Sequence, residues 1–170
     1  MYFCTFFKCM KNKILDEATR SMLDRARRYC ATSEQCESGV RQKLIVWGAK
    51  PEMMDTIVAR LRSEDYLNDK RFARVYCESK LLQQHWSRQK VLYQLRSKHL
   101  SKDDIEEGLS VVDDETYYGI LAYEAGKKLK SLGGELTPDS QRKLYGFLNS
   151  RGYSTAEIAK AIDRGLPTED

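Results

Sequence analysis

The sequence predicts an all-α protein: three tandem three-helix repeats forming an elongated, curved body. Three observations carry this. No run in the 170 residues alternates apolar and polar side chains as a half-buried strand would, and Asn-Gly or Asp-Gly hairpin signals are absent. Apolar residues recur at helical spacing instead, with helix starts and stops between them. One phrase is also written twice, QLRSKHLSKDDI at 94–105 and FLNSRGYSTAEI at 147–158. In it Leu95, Lys98, Leu100, Ser101 and Ile105 answer Leu148, Arg151, Tyr153, Ser154 and Ile158.

Nine helices are expected, near 16–30, 34–47, 52–63, 69–84, 87–98, 102–110, 114–132, 138–150 and 155–165. The first carries a basic cluster, Arg20, Arg25, Arg27 and Arg28. Thr32 and Gln35 have the spacing of a capping box for the second, which carries Leu44 and stops at Gly48. Pro51 opens the third, where its missing N–H goes unnoticed. Asn68 or Asp69 caps the fourth, whose apolar stripe reads Phe72, Val75, Tyr76 and Leu82. Val91 and Leu95 mark the fifth, and Ser101 with Asp104 starts the sixth, which carries Ile105 and Leu109. Gly133 and Gly134 end the seventh. Thr137 and Pro138 open the eighth, with Leu144 and Leu148 on its apolar side. Gly152 ends it, and Ser154 with Glu157 caps the ninth, which carries Ile158 and Ile162.

The helices group in threes. The first group holds the frame more loosely, Leu44, Gly48, Ala49 and Met54 answering Leu95, His99, Leu100 and Ile105. The offsets are about 51 and 53 residues. The expected division is an N-terminal flexible segment at 1–15 and repeats at 16–66, 67–112 and 113–166. A unit of about 50 residues buries little apolar surface alone, and stacked copies share their boundaries.

Apolar residues make up 41% of the chain, enough for a core, and a 32% charged share implies much solvated surface. A net charge of +4 is too small to name a nucleic-acid partner. Its distribution says more. From Lys70 to Lys102 the bases are Lys70, Arg71, Arg74, Lys80, Arg88, Lys90, Arg96, Lys98 and Lys102, opposed by Glu78 alone. Asp103, Asp104, Glu106, Glu107, Asp113, Asp114 and Glu115 follow. The candidate contact residues for a filament or DNA are Arg71, Arg74, Arg88, Lys90, Arg96 and Lys98. They read either as a face for phosphates or an acidic protein groove, or as a solvated helix face. Acids at helix starts and bases at helix ends account for part of the asymmetry. Tyr66, Phe72, Tyr76, Trp86 and Tyr93 interleave with the block. Base stacking is one use for them, and core packing is the expectation for Phe72 and Trp86.

Catalytic chemistry is not in view. There is no phosphate-cradling glycine loop and no Gly-x-Ser-x-Gly elbow. His99 stands where Gly152 does in the next repeat, so a left-handed helix stop explains it, and His85 falls in an inter-helix turn. Cys4 with Cys9, and Cys30 with Cys36, lack the two-residue gap of zinc knuckles, and Cys77 reads as packing. No enzyme, metal or cofactor is expected. Five cysteines in a chain that is not loop-rich fit a reducing cytoplasm better than a disulfide framework. The opening YFCTFF is too short for a membrane span, and Lys8 follows it rather than preceding it. Translation starts at Met1 or at Met10.

YLNDKRFARVYCESK at 66–80 resembles the signature of the RecX family, and HWSRQKVLYQLRSKHLSKDDI at 85–105 resembles the stretch that follows it there. FLNSRGYSTAEI is similar to the family's closing phrase, and YCATSEQCESGVRQKLIVWG to the first repeat of one branch. The likeness covers roughly 16–165. There are departures: Asn68 stands for an acidic residue, Ser87 for a common glycine, and the Arg-Asp or Arg-Glu before the second helix of the first repeat is missing. The resemblance implies three tandem three-helix repeats. It also implies a cytoplasmic, monomeric regulatory protein of homologous recombination, DNA repair and the SOS response. Such a protein binds the filament of the RecA recombinase and inhibits its recombinase, ATPase and coprotease activities, with direct DNA contact as a further expectation. The alternative class is a tandem helix-turn-helix DNA-binding protein, against which the acidic third helix DDIEEGL counts. A third is a scaffold that touches no nucleic acid.

Overall fold

The computed structural model describes residues 15–163; Cys4, Cys9, Met10 and nearly all of the expected N-terminal segment lie outside the described residues. The described residues form nine α-helices and no strand: α1 Glu17–Thr32, α2 Glu37–Val46, α3 Pro51–Ser63, α4 Asp69–Glu78, α5 Arg88–Ser97, α6 Lys102–Leu109, α7 Asp114–Ser131, α8 Pro138–Ser150 and α9 Thr155–Asp163. They fall into two compact units divided between Asn68 and Asp69, α1–α3 in one and α4–α9 in the other.

The recurring phrase is a helix stop. Gly48, His99 and Gly152 have φ of 83°, 61° and 92°, so the chain turns left-handed after the second helix of each repeat. The next residue then bonds back five positions: Ala49 to the Leu44 carbonyl at 2.9 Å, Leu100 to Leu95 at 3.4 Å and Tyr153 to Leu148 at 3.2 Å. Leu44, Leu95 and Leu148 are fully buried, as are most of Leu100 and Tyr153. The stop thus folds an apolar residue under the helix it ends, and the third helix starts at once.

Starts follow the sequence with one correction. Ser101 Oγ accepts from Asp104 N at 3.1 Å, and Ser154 and Glu157 bond reciprocally. Thr137 pairs with Ser140 in a full capping box. The expected Thr32–Gln35 box does not form. Thr32 is the last residue of α1, and its hydroxyl donates to the Tyr29 carbonyl at 2.7 Å. Gln35 turns to Ser33, and α2 starts at Cys36 without a side-chain cap.

In the first unit Leu23, Ala26 and Cys30 of α1 pack with Val40, Leu44, Ile57, Val58, Leu61 and Leu67. Arg27 fixes α1 to the end of α3 through two bonds to the Glu64 carboxylate, 2.7 and 2.6 Å. In the second unit the expected stripe of α4 is rotated. Val75 and Leu82 are 45% and 40% exposed, and the buried line is Phe72, Ala73, Cys77 and Leu81. The reason is α6, which lies so close that a Cβ on Gly108 would sit 3.0 Å from the Ala73 backbone. Opposite Gly108 only a small side chain such as that of Ala73 fits. The single helix expected over 69–84 also changes form: Ser79–Gln83 is a π-turn, with Gln84 N bonding the Ser79 carbonyl.

Candidate functional site

The basic block forms an ordered surface on the second repeat. Phe72, Tyr76 and Lys80 are one turn apart on α4 and its π-turn, and Lys90, Gln94 and Lys98 are one turn apart on α5. The two lines are cross-linked by cations on rings. Lys98 Nζ lies 5.9 Å from the Phe72 centroid and 6.0 Å from that of Tyr76. Phe72 and Tyr76 stack at 5.6 Å. Lys80 Nζ is 5.4 Å from Tyr76 and 4.8 Å from Trp86, and Lys90 Nζ is 4.2 Å from Trp86. Lysines and rings alternate along this ladder. Each contact contributes about 0.5–1 kcal/mol at such exposure, so the rings position the charges without neutralising them. Trp86, expected in the core, is half-buried between two lysines. The π-turn explains this: it puts one extra residue before the α5 cap and brings Trp86 out beside Lys80.

The six candidate residues separate into two kinds. Arg74 and Arg96 are exposed and Arg71 and Lys98 half-buried. Arg74 Nε reaches Glu78 of its own helix at 3.4 Å. Lys90 and Arg88 reach into the third repeat. Lys90 Nζ donates to the Ser150 carbonyl at 2.8 Å. Arg88 pairs with Asp114, donates to the Val112 carbonyl at 2.5 Å and covers the Tyr117 ring at 4.5 Å.

That junction was not visible in the sequence. Ser87, fully buried, caps α5, takes the Arg151 carbonyl through its N–H at 2.9 Å and the Gly152 carbonyl through its hydroxyl at 2.6 Å. A glycine there would leave both the cap and the bond to the Gly152 carbonyl unmade. The Tyr117 hydroxyl accepts from Arg88 N at 3.3 Å and donates to Glu157 at 2.8 Å. Burial pushes up the Glu157 carboxyl, but the Ser154 hydroxyl and N–H, Tyr117 and Arg88 outweigh it and hold it below the usual carboxylate range. His85, at φ 51°, lies 3.0 Å from the buried Glu124, whose other oxygen is 3.3 Å from Arg151 Nε.

Burial pushes the Cys30 thiol up to about 11 and the Cys77 thiol up to about 12, so both stay protonated near neutral pH. No group of three His, Cys, Asp or Glu among the described residues could hold a metal ion, and no described helix is long and apolar enough to cross a membrane.

A family model described as the second three-helix domain of RecX matches residues 68–109, the repeat that carries the ladder. The chain is 36% identical over 137 residues to a protein of Clostridium botulinum named Regulatory protein RecX, covering 78% of this chain and 63% of that one. The chain therefore spans less than two thirds of that relative's length. A protein of the same name from Prosthecochloris aestuarii is 29% identical over 151 residues, 89% of this chain and 97% of the relative. Both carry the name of a regulatory protein rather than of an enzyme. The crystal structure of RecX from Lactobacillus salivarius superposes with a TM-score of 0.75 at 19% identity, over 88% of this chain and 97% of that one, which shows a shared fold of tandem three-helix repeats.

Proposed function

Since the chain belongs to the RecX family, we propose that it binds the filament of the RecA recombinase and inhibits its recombinase, ATPase and coprotease activities. It acts as a cytoplasmic monomer, its repeats running over 16–66, 67–112 and 113–166, and its task is contact rather than catalysis. The observation that carries the reading is the ladder of Lys98, Tyr76, Lys80, Trp86 and Lys90 on the second repeat. Such a surface offers positioned charge and flat apolar area together, which suits a nucleoprotein partner with acidic side chains and phosphates. Arg74, Arg96 and Lys98 make the contact, with Arg71 beside them and direct DNA contact through the same bases. Arg88 and Lys90 shape the surface from behind. Acidic α6, with Asp103, Asp104, Glu106 and Glu107, is a poor guest in a major groove, which counts against a sequence-specific DNA reader.

The test adds purified protein to recombinase filaments preassembled on single-stranded DNA and follows sedimentation and ATP hydrolysis. Co-sedimentation with falling hydrolysis is the expected result. Full hydrolysis at saturating protein, or selective retention of one duplex sequence instead, would overturn the reading.

A further inference from the structure

We propose that the chain carries one docking surface twice, in its first and second repeats, and that each copy takes an acidic polypeptide segment with an apolar anchor. The inference rests on the filament reading and names the chemistry of the contact.

The first helices of the three repeats align through buried pairs four residues apart: Ala26 and Cys30, Ala73 and Cys77, Leu121 and Ala125. Two of these stretches are nearly the same text, ARRYC at 26–30 and ARVYC at 73–77. The residue before the second buried position is Tyr29, Tyr76 or Glu124. In every repeat it meets the residue that ends the second helix: Tyr29 meets Trp47 with ring centroids 5.8 Å apart, Tyr76 lies 6.0 Å from Lys98 Nζ, and Glu124 lies 3.3 Å from Arg151 Nε. The repeat frame thus builds the same spot three times.

The third copy is already occupied. His85, from the turn before α5, sits 3.0 Å from Glu124 and leaves that carboxylate 7% exposed. A side chain from a neighbouring repeat docks on Glu124, the residue that stands where the tyrosines stand in the other two copies. Those two copies remain at the surface and are ringed by cations. Arg25 covers Trp47 at 4.2 Å and Lys43 covers Tyr29 at 5.7 Å. Lys80 and Lys98 flank Tyr76, from positions of the repeat frame other than those of Arg25 and Lys43. Among the described residues, no carboxylate pairs with Arg25, Lys43, Lys80 or Lys98. A partner that supplies acids completes both copies.

Aliphatic side chains on the same elements decide between a polypeptide and a nucleic acid. Ile45 and Val46 are 55% and 69% exposed on α2, and Val75 and Leu82 are 45% and 40% exposed on α4 and its π-turn. A phosphate backbone would use the cations and leave these groups in water. A polypeptide with an acidic stretch and an apolar anchor uses both. Two copies of like chemistry gain most from a partner that presents the same segment repeatedly, as a filament of identical subunits does.

The test compares Arg25→Glu with Lys43→Glu (first copy), Lys80→Glu with Lys98→Glu (second copy), and all four together. Lys43→Ala and Lys98→Ala serve as milder partners if a reversal lowers thermal stability. Affinity is measured for filaments on single-stranded DNA, for a non-assembling form of the recombinase, and for a glutamate-rich probe peptide carrying one phenylalanine. Loss of one copy should weaken filament binding about tenfold or more but binding to the non-assembling form only about twofold, because one equivalent site remains. Losing all four should abolish both. Equal losses on the two forms, a single copy carrying the whole effect, or bare single-stranded DNA binding as tightly with the same dependence would overturn the proposal. Wild type that ignores filaments yet binds the probe through both copies would sink the filament reading and leave the duplicated surface standing.

Discussion

Substituting Gly152 by alanine tests how the second and third repeats are joined. Gly152 has φ of 92°, and an added Cβ would lie 2.6 Å from Lys90 Cβ and 2.7 Å from Ser87 Oγ. Two costs add. Holding a residue with a Cβ in the left-handed region costs about 1–2 kcal/mol. Forcing the new methyl into a closed junction costs about 1–3 kcal/mol more, because relief means moving Ser87 off the Gly152 carbonyl it holds at 2.6 Å. The sum is about 2–5 kcal/mol, or roughly 7–14 °C in Tm for a loss near the middle of that range. Gly134 is the control. Its φ is 81°, and nothing lies within 4 Å of its would-be Cβ, so Gly134→Ala carries the backbone cost alone. Thermal unfolding followed by circular dichroism at 222 nm compares them. A Gly152→Ala loss no larger than that of Gly134→Ala would refute the closed junction.

Arg88→Ala removes the Asp114 pair, the bond to the Val112 carbonyl and the cover over Tyr117, so chemical denaturation should show a loss of about 2 kcal/mol. No change would mean that Arg88 is solvated after all. His99→Gly relieves a left-handed histidine at φ 61° and should raise stability by about 0.5–1 kcal/mol after the larger chain entropy of glycine is counted; a fall in Tm would contradict the shared stop. Glu157 is held below its ordinary value of 4.5 in the folded state. Its contribution is therefore complete above pH 4.5 and is lost as pH falls through the lower folded value. Glu157→Gln should be less stable than wild type near neutral pH, and the gap should close in acid, measured as urea midpoints against pH.

The repeat frame was legible because its physics is local. A left-handed stop, an apolar residue behind it and a capping serine need only neighbours, so Gly48, His99, Gly152, Ser101 and Ser154 could be read from spacing alone. The stripe of α4 could not. Phe72 belongs to two candidate faces, one through Val75 and one through Ala73, and only the close approach of Gly108 selects the second. The Thr32–Gln35 box failed because α1 runs on to Thr32 and uses that hydroxyl for itself. The basic block was correct as composition but silent on partners. Arg88 meets Asp114 and Glu124 meets His85 across 26 and 39 residues, a separation that no helical period encodes. The near-identity of ARRYC and ARVYC marks the place where the first two repeats present the same tyrosine.

The claim that the α4–α5 face of the second repeat meets the recombinase is tested most directly by photo-crosslinking from Gln94. That residue lies one turn from both Lys90 and Lys98 on α5. A crosslinker at Gln94 should capture the recombinase from filaments, and one at Arg142 on α8, where the side chain is 80% exposed, should not. Capture from Arg142 with none from Gln94 would contradict the account.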